Sequence, residues 1–220
     1  MTLDPGIRRV RRSIHDHGLS GVTQLALAAM NEVLRPHDVH VWYTLELAGE
    51  RPVVSLAEGF RLESPADLAP FDQLGPGGLS DARSRVAEGG VPWLILDDDR
   101  VAFACWILSH VPTGAARGGR LKLPDRMLCL EYSITQENYR GRGLAPAAWC
   151  AIADALQADG ITALTTKVGV ENVPSRRAVE KVGFREIATV SLRRRRLRLH
   201  ADVAVSDAEA SRFIVEAVRR

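Results

Sequence analysis

The segment Asn138-Tyr139-Arg140-Gly141-Arg142-Gly143-Leu144-Ala145 constrains this chain more than any other. It links a strand-like run, residues 127–134, to a helix-like run, residues 146–158. Two glycines at a helix entrance let the backbone close around a ligand with no side chain in the way. The first amides of such a helix have no internal partner, and its dipole favours negative charge there. Arg140 and Arg142 add cations beside those amides. The predicted local structure is strand, tight loop, helix, and the loop is a seat for a phosphorylated ligand, most simply a pyrophosphate.

Two well-known phosphate loops do not fit. No Gly-Lys-Ser/Thr ending follows, which excludes the nucleotide P-loop. The dinucleotide fingerprint requires a third glycine that is missing here. Arg140-x-x-Gly143-x-Ala145 instead resembles the Arg/Gln-x-x-Gly-x-Gly/Ala signature of the GNAT superfamily of acyl-CoA N-acyltransferases. A second block strengthens the resemblance: after a strand-like 168–170 comes Asn172-Val173-Pro174-Ser175-Arg176-Arg177-Ala178-Val179-Glu180-Lys181-Val182-Gly183-Phe184. It is similar to the superfamily's strand-end Asn and short helix finishing in Glu-Lys-x-Gly-Phe. The Asn-x-x-Ser spacing is closest to the branch that acetylates ribosomal-protein N-termini. Each block also has an ordinary helix grammar: Asn172 as N-cap, Pro174 and Pro146 in first turns, Gly183 just past a C-terminus. That grammar does not explain why the two blocks occur together, in this order.

The resemblance implies an α/β fold, a mixed, mostly antiparallel central sheet flanked by helices. Residues 51–205 would form the acyltransferase domain. Residues 1–50, with a basic start, a helix at 20–34 and a strand at 39–47, would be an N-terminal extension. A capping-box pattern, Ser206-x-x-Glu209, would open a C-terminal helix within 206–220. Ser80 is the expected N-cap of a helix reaching Glu88. The runs at 93–96 and 101–108 read as a hairpin around Asp97-Asp98-Asp99-Arg100, a solvated turn and no cation site. The Gly-rich stretch 112–124 has no period and reads as a mobile loop.

Composition narrows the class. With 220 residues, 46% hydrophobic and 25% charged, the chain can bury a substantial core. A net charge of +2 gives no whole-molecule attraction to nucleic acid, and no aromatic platform or recognised module points there. Cys105, Cys129 and Cys150 are few, odd in number and set in apolar runs, as in a reduced, cytoplasmic protein. No run is long enough for a membrane span and no metal-ligand spacing occurs, His15-Asp16-His17 reading as solvated.

By the same resemblance the donor would be acetyl-CoA, held in a gap where two neighbouring strands splay apart; the alternatives are a longer acyl-CoA or acyl-carrier donor, or a module that binds acyl-CoA without catalysis. The strands are those around 128–134 and 163–170. Backbone amides near Ile134 and Thr135 would meet the pantetheine and acyl carbonyl. Amides of Arg140, Gly141, Arg142, Gly143, Leu144 and Ala145 would meet the phosphates. Asn172 would contact the pantetheine, and Arg176 or, in our assignment, Arg177 the adenosine phosphate. An amine acceptor would attack the thioester directly. Glu131, on the strand before the splay, is the candidate base, facing the same way as Cys129 and Ser133; a structural ion pair is its other reading. His110 and His200 are weaker candidates. The family's usual tyrosine before Glu-Lys is here Val179, which cannot donate a proton. Ser175 replaces it as candidate acid, or else only supports the helix cap. Arg193 to Arg196 would attract an acidic acceptor or carrier, or form a solvated edge. The N-terminal helix and strand offer a surface for a homodimer.

Overall fold

Period-two and helical spacings become regular elements over most of the chain. The computed structural model describes residues 37–195 and 198–219. The basic start, the helix expected at 20–34, His15-Asp16-His17, Arg196 and Leu197 lie outside the described residues. In chain order the strands are β1 (His37–Glu46), β2 (Phe60–Glu63), β3 (Val91–Asp97), β4 (Arg100–Leu108) and β5 (His110–Pro112). They continue with β6 (Arg120–Lys122), β7 (Met127–Thr135), β8 (Ala163–Gly169), β9 (Arg185–Arg195) and β10 (Arg198–Val205). The helices are α1 (Gly78–Ala87), α2 (Leu144–Ala158), α3 (Val173–Lys181) and α4 (Arg212–Arg219).

Eight strands make one sheet in the order β10-β9-β1-β8-β7-β4-β3-β2. Its pairs are antiparallel wherever a register is defined, except β7 with β8, which run parallel. A parallel pair needs a crossover, and α2 supplies it. The expected mixed, mostly antiparallel sheet flanked by helices is therefore the observed fold. One apolar layer, including Leu130, Leu144, Trp149, Ile152, Leu164 and Val179, lies under α2 and α3. The other, including Trp42, Phe71, Ala82, Trp106, Cys129 and Ile214, lies under α1, α4 and the small β5–β6 sheet.

Local departures from expectation have simple causes. The strand assigned to an N-terminal extension is an interior strand: β1 lies between β9 and β8, and the compact unit begins at Val39, not residue 51. Tyr43 and Leu47 are fully buried, and burial on that scale is available only inside the sheet. The Gly-rich 112–124 stretch is not featureless. It carries β6, because Leu121 buries against the same layer as Val111. Ser80 does not cap α1; Gly77 holds that position with a left-handed backbone. The residue that shapes the approach to α4 is Asp207, which accepts from the Glu209 and Ala210 amides at 3.1 and 3.0 Å. Ser206 instead donates to Glu186.

Candidate active site

β7 and β8 pair only at Met127↔Ala163, Leu128↔Leu164 and Cys129↔Thr165. Both strands continue, to Thr135 and Gly169, so beyond Cys129 they part and a gap opens between them. On its other side β7 stays paired with β4, but with an irregularity: Trp106 opposes Glu131 while Ala104 opposes Ile134. Tyr132 and Ser133 thus share the place opposite Cys105. This is a β-bulge, and Tyr132 absorbs it with φ 53°.

The bulge reorders the faces of the strand. Regular alternation would set Ser133 with Glu131. Instead the Trp149 indole Nε1 donates to Ser133 Oγ at 3.3 Å on the α2 side. Tyr132 turns to the other face, where the Arg85 guanidinium lies 4.2 Å from its ring centroid. Beyond the bulge Gln136 donates its amide to Ala102 O at 3.0 Å. Antiparallel alternation then aims the Thr135 N–H and C=O into the gap and those of Ile134 at β4. Of the two amides expected to be free, Thr135's faces the gap; Ile134 contributes its half-exposed side chain.

The α2 side of the gap opens into a cavity of about 780 Å³. It is lined by Ile134, Thr135, Arg140, Gly141, Gly143, Leu144, Ala145, Asn172, Ser175 and Arg177, with Trp149 and Lys181 among others. Two separate sequence blocks therefore meet around one space. Gly141 and Gly143 have φ 78° and 74°, and a Cβ at either would meet no protein atom within 4 Å. The left-handed turn is required by the loop, and the free space above it belongs to the cavity. Gly143 caps α2 with no side chain, and Pro146 has no N–H to compete. The leading amides are thus left for a ligand. Arg140 stands exposed beside them, its Nε 3.4 Å from Thr135 O. Arg142 does not line the cavity; its guanidinium lies 5.3 Å from the Tyr139 ring.

The opposite wall is α3. Asn172 Oδ1 accepts from the Ser175 amide at 3.2 Å, leaving its NH2 for the cavity. Arg176 is tied up elsewhere: its Nε donates to Tyr43 Oη at 2.9 Å, and Tyr43 donates to Glu180 at 3.1 Å. Of the two arginines, Arg177 is the one that lines the cavity. Tyr43, on β1, so fixes the rotation of α3. Tyr43→Phe is expected to cost about 1 kcal/mol, the net value of such a bond, and to lower Tm by about 2–4 °C. Thermal melts check this; an unchanged Tm would show that the phenol holds nothing.

Glu131 lies on the other face of the sheet. Both of its oxygens are 3.0 Å from Lys167 Nζ, and the two side chains are 9% and 14% exposed. Glu131 follows Cys129 by two residues and Lys167 follows Thr165 by two, so the pair bridges β7 and β8 at the first rung beyond their last contact. The Cys129 thiol is 3.7 Å away. Burial raises the Glu131 carboxyl above the ordinary carboxylate range, with Lys167 pulling the other way. Burial also pushes the Cys105 and Cys129 thiols up, which makes them poor nucleophiles. His110 is half-buried and lowered mainly by burial, in the small β5–β6 sheet.

A glycine turn with open space above it, a splayed parallel pair and a bulged central strand now stand together. Residues 67–185, more than half the chain, match the family model described as Acetyltransferase (GNAT) domain. The chain belongs to the GNAT acetyltransferase family. Its members use acyl-CoA, typically acetyl-CoA, as donor, and the glycine turn with its open space fits the phosphates of such a donor. No curated protein matches in sequence. Among solved structures, a GCN5-related N-acetyltransferase from Sphaerobacter thermophilus matches with TM-score 0.54 and 13% identity, over 84% of this chain and 57% of that one. A tandem GNAT protein from the clavulanic acid biosynthesis pathway matches with TM-score 0.51 and 16% identity, over 73% and 55%. This chain spans little more than half the length of either, and at those identities the likeness is one of fold. A ribosomal-protein alanine N-acetyltransferase from Escherichia coli gives 16% identity and TM-score 0.44, over 57% of this chain and 77% of that one. That score does not place the chain in the ribosomal-protein branch.

Several residues of this GNAT site carried no signal in the sequence. Lys167, Tyr43, Ser133 and Trp149 reach it through register, bulge and packing, none of which is a local pattern. Lys167, on the Ala163-Thr165-Lys167 face of β8, is in the sequence only a polar interruption of a buried strand.

Proposed function

We propose that the protein is an N-acetyltransferase that moves an acetyl group from acetyl-CoA to a primary amine, on a small molecule or a protein N-terminus. The observation that carries this reading is the placement of Glu131 at the mouth of the splay, on the face opposite the donor cavity. A thioester in the gap would be exposed to an amine on the Glu131 side. Glu131 takes a proton from the incoming ammonium. The amine nitrogen then bonds the acyl carbon as the carbon–sulfur bond breaks; the acylated nitrogen releases its remaining extra proton to solvent, and the departing thiolate needs one.

Ser175 is the donor we assign to that proton. Val179, at the position of the family's usual tyrosine, is buried at 2% exposure and can supply nothing. A thiolate leaves readily, so Ser175→Ala is expected to lower kcat only about tenfold, below the usual range for a general acid. Steady-state rates decide it; an unchanged kcat would return Ser175 to a capping role.

The reading is tested by titrating acetyl-CoA calorimetrically and then following thiol release against a panel of amines. Binding with release for one amine class supports it. Binding without release across a broad panel would leave an acyl-CoA-binding module, which Val179 favours. No binding would end the acyl-transfer reading. The exposed Arg193 on β9 belongs to the basic run for which we propose an acidic acceptor or carrier.

A further inference from the structure

One side chain, Trp149, bounds the donor cavity on its α2 wall. Along β7 its lining runs from Thr135 back to Ser133, about 7 Å. Along α2 it runs from Leu144 to Trp149, about 7.5 Å. The two walls meet where Trp149 Nε1 donates to Ser133 Oγ at 3.3 Å. Trp149 is 4% exposed and packed in the layer that holds Leu130, Ile152 and Val168. Phe103, fully buried and paired with Thr135, lines the other end of that β7 stretch. Two residues below Glu131, strand pairing resumes at Cys129 and Thr165, so the gap itself goes no further.

The phosphate seat lies at the other end of this cavity, at residues 140–145. A thioester anchored there would point its acyl group toward the indole. We propose that Trp149, pinned by Ser133, sets the length of acyl group the protein accepts and restricts it to short chains. The inference rests on the cavity being the acyl-CoA seat. A longer chain needs the volume of the indole. To yield it, Trp149 must leave its packed rotamer and give up the Ser133 bond, stranding a buried N–H. The bulge at Tyr132 is what makes this stop: without it Ser133 would face Glu131, and the indole would have no acceptor.

The test is calorimetric titration of the full chain with free CoA, acetyl-CoA and hexanoyl-CoA. Wild type is expected to bind the first two alike and hexanoyl-CoA at least about tenfold more weakly, a difference of about 1.4 kcal/mol. Trp149→Leu should reduce that discrimination by about tenfold, and Trp149→Phe, which keeps a ring but no N–H, by less. Wild type binding hexanoyl-CoA as tightly as acetyl-CoA overturns the inference, whether or not the variants fold. An unchanged ratio in a folded variant also overturns it. Failure of wild type to bind free CoA is a different result: it removes the acyl-CoA reading itself, and this inference with it.

Discussion

Glu131→Gln should lower kcat by about 10²–10⁴-fold, the range for loss of a general base, and leave the Kd for acetyl-CoA unchanged. Glutamine keeps the shape but accepts no proton at working pH. The carboxylate lies across the sheet from the donor cavity, which is why binding should survive. The variant also strips Lys167 of its counter-charge, and breaking a buried pair from one side costs about 3–5 kcal/mol. A fall in activity could then reflect unfolding. Glu131→Gln with Lys167→Met separates the two: the melting temperature should recover and kcat should not. Wild-type kcat in either folded variant would remove Glu131 from the chemistry.

The pH profile gives a second readout of the same pair. Glu131 works only when ionised, so activity falls as pH drops through its pKa. Burial places that pKa above the ordinary carboxylate range, and Lys167 restrains the rise. The acid limb of kcat/KM for the acceptor should therefore lie above that range. Lys167→Met removes the restraint and should move the limb to higher pH. The other groups near Glu131 are the neutral Cys129 thiol, the Tyr132 phenol and, through the Tyr132 ring, Arg85. None of them replaces the lysine's contact with both oxygens. A limb that stays in place in Lys167→Met would mean that another group titrates.

Gly143→Val should raise the Kd for acetyl-CoA by about 10²–10³-fold. Gly143 sits at φ 74°, where an L side chain costs about 1–2 kcal/mol. The turn would relax away from that strain and withdraw amides from the phosphates, each hydrogen bond to a charged group being worth about 1.5–3 kcal/mol. A Cβ at this position meets nothing within 4 Å beyond its chain neighbours, so the loss comes mainly from the turn. Free CoA should lose the same factor as acetyl-CoA, since the phosphates are common to both. Calorimetry checks it, with the melting temperature as control. Unchanged affinity in Gly143→Val would show that the donor's phosphates lie elsewhere.

How much of this was legible beforehand depends on the range of each interaction. Asn172 can be recognised as a cap because its partner, the Ser175 amide, is three residues away. The two nearby arginines of α3 could not be told apart: Arg176 is claimed by Tyr43, which stands 133 residues earlier. Glu131 stood out as a carboxylate in an apolar strand, yet its two readings turned on Lys167, 36 residues on. The ion pair is real, and its position at the splay is what makes a catalytic role chemically reasonable.

From its residues alone the chain determines the glycine turn between Arg140 and Ala145, the short capped helix after Asn172 and the α/β class. Each is governed by backbone sterics and hydrogen bonds within a few residues. Only the tertiary structure decided that β1 lies inside the sheet, that a bulge sends Ser133 to Trp149 and Tyr132 to Arg85, and that Lys167 meets Glu131 across the parting strands. Those outcomes depend on strand order and register. They minimise buried, unpaired polar groups over the whole molecule, and no local stretch of sequence contains that sum.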